Sequence, residues 1–218
     1  MSGEEPSAAA APARRGRFIV FEGGEATGKS TQAARLARRL DAVLTHEPGG
    51  TALGAALRSL LLDGSGPDVA DRTEALLMAA DRAQHVAEVV EPALARGRHV
   101  VSDRYIGSSL AYQGFGRGLP VDDLRRLSAW ATRHLWPDVV VLLDVPRHAA
   151  LARVQHVADR FESAGDEFHE RVLAGYAALA AADPEHWAVV DGSLPPDQVE
   201  ASVWSVVADR CPDLAEGA

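Results

Sequence analysis

Eight consecutive residues, Gly23-Gly24-Glu25-Ala26-Thr27-Gly28-Lys29-Ser30, carry the clearest chemistry in this 218-residue chain. They fit the pattern G-x-x-x-x-G-K-[ST], whose glycines let backbone N–H groups curl around phosphate oxygens. The lysine of such a loop reaches the outer phosphates of a nucleoside triphosphate, and the hydroxyl after it is a ligand for Mg2+. Lys29 and Ser30 hold those two positions, and Thr31 extends the loop into the next element. Glu25 is unusual there, because a carboxylate among phosphates is costly unless it has a partner.

The elements that must position this loop are legible on either side. The run 17–22 (RFIVFE) is short, apolar and stopped by glycines, as a buried parallel strand would be. After the loop, Ala33, Leu36, Ala37 and Leu40 recur at helical spacing over 29–40, with arginines on the other face. The helix N-terminus then adds its dipole to the phosphate site. Further strands are expected at 42–46, 99–102, 139–144 and 187–190, and helices at 52–62, 70–96, 121–134, 167–182 and 196–209. Pro92 is expected to kink its helix or start a last turn. Strands alternating with helices predict an α/β fold: a five-stranded parallel sheet with helices on both faces, the three-layer sandwich of phosphate-loop NTPases. Ligands of such sheets bind beyond the carboxyl ends of the strands.

Composition narrows the function classes. A formal charge of −9 argues against a general nucleic-acid binder or an anionic-membrane binder. No apolar run approaches the length of a membrane span. One cysteine, Cys211, cannot form an internal disulfide, and it reads as a bystander. The Ala/Pro-rich stretch 1–16 is expected to be a disordered tail, 17–210 one domain, and 211–218 a C-terminal tail. A cytoplasmic protein is expected. The histidines lack metal-ligand spacing, so no zinc site is assigned. No N/T-K-x-D segment follows a later strand, which disfavours a GTPase switch.

Several segments together resemble thymidylate kinases of the bacterial type. They are EGGEATGKST (22–31), EPGGT (47–51), LRSLLLD (57–63), LLMAADRAQH (76–85), DRYIGSSLAYQG (103–114), PDVVVLLDV (137–145) and DRFE (159–162). The resemblance covers about 17–210 and implies transfer of the ATP γ-phosphoryl group to dTMP, giving dTDP and ADP. It implies that Gly23–Thr31 bind ATP and that Asp103 holds Mg2+ with Ser30. Asp144 competes for that role and is read as structural. The acceptor site it implies comprises Glu25, Pro48, Arg58, Met78, Arg82, Arg104, Ser108, Ser109, Tyr112 and Gln113. Arg58 and Arg104 would take the acceptor phosphate, since guanidinium forks bind phosphate oxygens bidentately. Arg82 would donate to a thymine carbonyl, where cytosine presents an amino group. Glu25 would accept from the 3′-hydroxyl, and Tyr112 would pack under the sugar. Met78 stands where the family has a stacking phenylalanine, which implies a weaker stack.

Some members of that family carry a catalytic arginine inside the phosphate loop; Ala26 stands there in this chain. The bacterial type supplies arginines from a mobile lid, expected at about 153–166. Arg153 and Arg160 are the lid candidates and join Lys29 and Arg104 as expected catalytic residues, with Arg160 preferred. Adenine recognition near Asp191-Gly192-Ser193 is inferred from position alone. The family is commonly homodimeric. Two alternatives stay open: a kinase for another (deoxy)nucleoside monophosphate, or a non-catalytic nucleotide-binding protein.

Overall fold

The computed structural model describes residues 15–62, 68–153, 160–161 and 163–215. Five parallel strands form one sheet in the order β2-β3-β1-β4-β5. These are β1 (Phe18–Glu22), β2 (Val43–His46), β3 (Val100–Asp103), β4 (Val139–Asp144) and β5 (Trp187–Asp191). Side chains alternate across β1. Phe18 and Val20 enter one core with Val100 and Leu142; Ile19 and Phe21 enter the other with Val101, Val141 and Leu143. Burial on both faces is why β1 and β4 read as continuous apolar runs.

Helices α1 (Lys29–Arg39) and α9 (Pro196–Arg210) cover one face; α3 (Asp71–His85), α6 (Val121–Ala131) and α8 (Asp166–Ala182) cover the other. α2 (Ala52–Leu62) packs on α3. Gly54 permits that approach, since a Cβ there would lie 2.4 Å from Asp81 Oδ1. The helix expected over 70–96 is interrupted. After α3 a π-helical turn, Val86–Val90, leads into α4 (Glu91–Ala95). Pro92 cannot donate an N–H to the preceding turn, and the wider register lies just before it.

One site-bearing segment has no counterpart among the expected elements. After β3 the chain forms α5 (Ile106–Ser109) and continues as a π-helix, Leu110–Gly116. Gly and Ser are weak helix formers, so the start is held from outside. The Glu22 carboxylate at the end of β1 accepts from the N–H groups of Tyr105 and Ser108, each at 3.0 Å. Burial raises the Glu22 pKa, against the pull of the Ser108 hydroxyl and Arg104. The helix expected over 121–134 ends at Ala131, because Arg133 and His134 take positive φ.

Both chain ends differ from expectation where they are described. Arg15 pairs with Asp138 at 3.1 Å, and the Gly16 N–H bonds the Leu94 carbonyl. The expectation for 1–14 lies outside the described residues. At the other end, the tail expected from 211 is instead packed. Cys211 and Leu214 are buried, and α10 (Pro212–Ala215) is anchored by Asp213 to Arg17 at 2.8 Å. Two apolar side chains and an ion pair offset the ordering cost there. Between α7 (Arg147–Leu151) and α8, positions 154–159 and 162 of the expected lid lie outside the described residues.

Candidate functional site

The loop after β1 carries three positive φ angles, at Gly23 (143°), Ala26 (53°) and Gly28 (93°). Gly28 then caps α1 in left-handed geometry. The loop residues Glu25 to Thr31 line a cleft at the strand ends, with His46, Arg58, Asp103, Arg104 and Arg153. Gly23 and Gly24 stand behind it. The Gly23 carbonyl accepts from Arg104, and the Gly24 carbonyl accepts from Lys29 Nζ. Lys29 is buried, and burial together with the nearby Arg104 charge lowers its pKa to about 8.

Across the cleft, the exposed Ser30 hydroxyl donates to Asp103 Oδ2 at 2.5 Å. Asp103 Oδ1 is buried and has no partner among the described residues. A hydroxyl and a carboxylate with a spare oxygen are hard ligands, suited to a magnesium ion that keeps waters and phosphates for its other positions. Asp144 is exposed at the end of β4. No group of three or more metal-ligating side chains occurs among the described residues.

Beside this cleft lies a second cavity. The ten expected acceptor residues all line it: Glu25, Pro48, Arg58, Met78, Arg82, Arg104, Ser108, Ser109, Tyr112 and Gln113. They come from the phosphate loop, the β2–α2 turn, α2, α3 and the segment after β3. Glu47, Asp81, Tyr105 and Phe161 line it too and were not among the expected residues. Glu25, Glu47, Arg58 and Arg104 line both cavities.

Arg104 is the hub between them. Its φ is +73°, a strained value for a side-chain-bearing residue. Its guanidinium donates to Glu25 Oε1 at 2.8 Å, to the Ser108 and Tyr176 hydroxyls at 3.2 and 3.1 Å, and to the Tyr112 hydroxyl at 3.3 Å. That supplies the partner Glu25 needs. Burial works to raise the Glu25 pKa, but Arg104, Lys29 and the Tyr112 hydroxyl outweigh it and lower it to about 2. Tyr112 donates to Glu25 at 2.5 Å and meets Phe161 edge-on. Arg58 donates to the Pro48 carbonyl at 2.9 Å.

The far end of the pocket is built around Arg82. Its Nε donates to the buried Glu47 at 2.8 Å, and its Nη2 to the Tyr105 carbonyl and Ser109 hydroxyl at 3.1 and 3.0 Å. Glu47 also lies 2.7 Å from His85 Nδ1, and His85 Nε2 lies 2.6 Å from the Thr45 hydroxyl. The fork is thus fixed before any ligand arrives. Asp81 accepts from the Gly49 N–H at 2.9 Å. Burial and then Glu47 raise its pKa.

The two lid arginines diverge. Arg153 faces the phosphate cleft and donates to the Gly192 carbonyl at 3.1 Å. Arg160, the preferred catalytic candidate, is directed elsewhere. Its guanidinium donates to Glu74 Oε2 and to the Val69 carbonyl, both at 3.1 Å, and lines neither cavity. The buried Glu74 attracts it, and nothing in the sequence spacing signals that pairing across 86 positions. The Gly192 backbone sits by the phosphate loop, since a Cβ there would lie 3.3 Å from the Thr27 carbonyl.

Comparison with known proteins agrees with this geometry. The family model for thymidylate kinase matches residues 21–203. A thymidylate kinase of Bifidobacterium longum is 49% identical over 92% of this chain and 99% of its own length. One from Leifsonia xyli is 50% identical over 87% and 93%. A crystal structure of thymidylate kinase from Ehrlichia chaffeensis superposes with a TM-score of 0.75 at 28% identity, covering 88% of this chain and 99% of that one. With a family model spanning most of the domain and relatives near half identity over almost their full length, the chain belongs to the thymidylate kinase family.

Proposed function

We propose that the chain phosphorylates dTMP from ATP by holding the two phosphate chains on either side of Arg104. The observation that carries this division is that Arg104 and Arg58, the two shared cations, line both cavities together with Glu25 and Glu47. Phosphates bound on the two sides would meet at the Arg58 and Arg104 guanidiniums, the shared groups that carry positive charge. The γ-phosphoryl group passes directly to the dTMP 5′-phosphate, with positioning and charge neutralisation supplying the catalysis.

Lys29 and the loop N–H groups hold the donor's outer phosphates. Ser30 and Asp103 would hold a magnesium ion, which when bound offsets charge on those phosphates. Arg104 and Arg58 orient the acceptor phosphate. Arg82 donates to a thymine carbonyl, Met78 packs on the ring, and Glu25 accepts from the 3′-hydroxyl. Arg153 is the lid arginine on the cleft, beside Gly192 and the expected adenine site.

A substrate panel tests the acceptor assignment. Purified protein with ATP and Mg2+ is expected to favour dTMP over dUMP, UMP and dCMP in kcat/KM. One of the others outperforming dTMP would favour the broader-specificity reading that Met78 motivates. Substitution of Mg2+ by chelation is expected to abolish turnover.

A homodimer belongs to the same proposal. Helices α2, α3 and α6 pack in a row and expose Leu53, Leu60, Leu76 and Trp130, the last 79% exposed. Exposed apolar side chains gathered on neighbouring helices mark an association surface. No described helix is long and apolar enough to cross a membrane. A cytoplasmic location is proposed from the single cysteine and the ATP requirement.

A further inference from the structure

Glu74 on α3 is wholly buried and touches no expected ligand, yet four donor contacts converge on it. Gln113 Nε2 donates at 3.0 Å, Arg117 at 3.3 and 3.2 Å, and Arg160 at 3.1 Å. Two guanidiniums form ion pairs with its Oε2, at 3.2 and 3.1 Å. A carboxylate has only acceptor capacity. Of the two ends of the Gln113 amide, therefore, only the NH2 can face it. The Gln113 carbonyl is then the polar end left for the acceptor pocket, which the residue lines, and it has no hydrogen-bond partner among the described residues.

We propose that Glu74 is a positioning residue for base selection. By fixing the Gln113 amide, it makes the pocket present a carbonyl oxygen to the N3–H of a thymine or uracil ring. Cytosine has an acceptor at N3 and an amino donor at position 4. It would face the Gln113 carbonyl with one and the Arg82 guanidinium with the other, so both contacts would be mismatched. Such mismatches discriminate strongly, because buried polar groups are left unpaired. Arg117 and Arg160 compensate the buried charge of Glu74, and Arg117 packs on Phe161 and Phe168 at 5.8 and 4.6 Å. This inference rests on the proposed reading of the cavity as the dTMP site.

The test measures kcat/KM for dTMP and dCMP in the wild type, Glu74→Gln, Gln113→Met and the double variant. Each single variant is expected to lower the dTMP-over-dCMP ratio about tenfold, through KM for dTMP, with KM for ATP unchanged. The double variant should be no worse than Gln113→Met. An unchanged ratio in Glu74→Gln, or an equal further loss in the Gln113→Met background, overturns the role of Glu74. An unchanged ratio in Gln113→Met overturns the pocket reading itself. If Glu74→Gln does not fold, the wild type decides by NMR. The Gln113 side-chain amide, identified by its loss in Gln113→Met, should exchange slowly with water; exchange at the rate of a solvated amide overturns the proposal.

Discussion

The Glu25 carboxylate lies 2.8 Å from the Arg104 guanidinium, tying the phosphate loop to the end of β3. The pair presets two groups that each line both the phosphate cleft and the second cavity. An acceptor phosphate arriving at Arg104 replaces nothing covalent; it adds negative charge to a cation already aimed and partly desolvated.

Arg104→Met should therefore damage acceptor use specifically. Breaking a buried charge interaction costs about 3 kcal/mol, which is more than a hundredfold in kcat/KM for dTMP. KM for ATP should shift far less. Steady-state kinetics with each substrate varied decides it. A dTMP kcat/KM close to wild type would remove Arg104 from the acceptor site.

Lys29 predicts a pH dependence of ATP binding. In the free protein its pKa is lowered to about 8 by burial and by Arg104. A bound triphosphate favours the ammonium form, so binding raises that pKa and takes up a proton above pH 8. Affinity should then fall as pH rises past 8, and stay flat below about 7, where the lysine is charged in both states. Calorimetry at pH 8.5 in two buffers of different ionisation heat reads the proton uptake. Zero uptake contradicts the assignment, and Lys29→Met should abolish the slope.

The lid arginines should separate kinetically. Arg153→Ala is expected to lower kcat by about three orders of magnitude or more, as loss of an arginine finger does. Arg160→Ala should act through KM for dTMP, because Arg160 is bonded to the Glu74 that also holds Gln113. The reverse pattern, kcat loss in Arg160→Ala alone, would return the catalytic role to Arg160.

Trp130→Glu tests the association surface. A charge placed in an apolar interface is strongly disfavoured, so the variant should sediment as a monomer where the wild type sediments as a dimer. A monomeric wild type would end the dimer proposal.

Much of the donor side was legible because its signal is local. A short strand, a glycine loop and an amphipathic helix follow one another within 17–40. The sheet order was not written in any segment; it follows from which strands share faces. The acceptor side was readable only through family resemblance, since its residues come from five separate segments. Glu74, Asp81 and Phe161 escaped notice for that reason. Each acts through a partner roughly thirty or more positions away: Gln113 for Glu74, Gly49 for Asp81, Tyr112 for Phe161. The helix after β3 was missed because its start depends on Glu22, 83 positions earlier than Tyr105. The pairing of Arg160 with Glu74 was illegible for the same cause, a buried carboxylate that no spacing announces.

The π-helical stretch Leu110–Gly116 has a consequence for how this chain can change. A π-turn amounts to one residue inserted into an α-helix. Deleting a residue before Tyr112 would restore regular i→i+4 bonding, a gain by any local measure. It would also swing Tyr112 and Gln113 by about 100° around the helix axis, away from Ser108 and Ser109. Length in this segment is thus constrained more tightly than side-chain identity. A designer regularising the helix for thermostability would obtain a sturdier protein with two of the second cavity's lining side chains facing the wrong way.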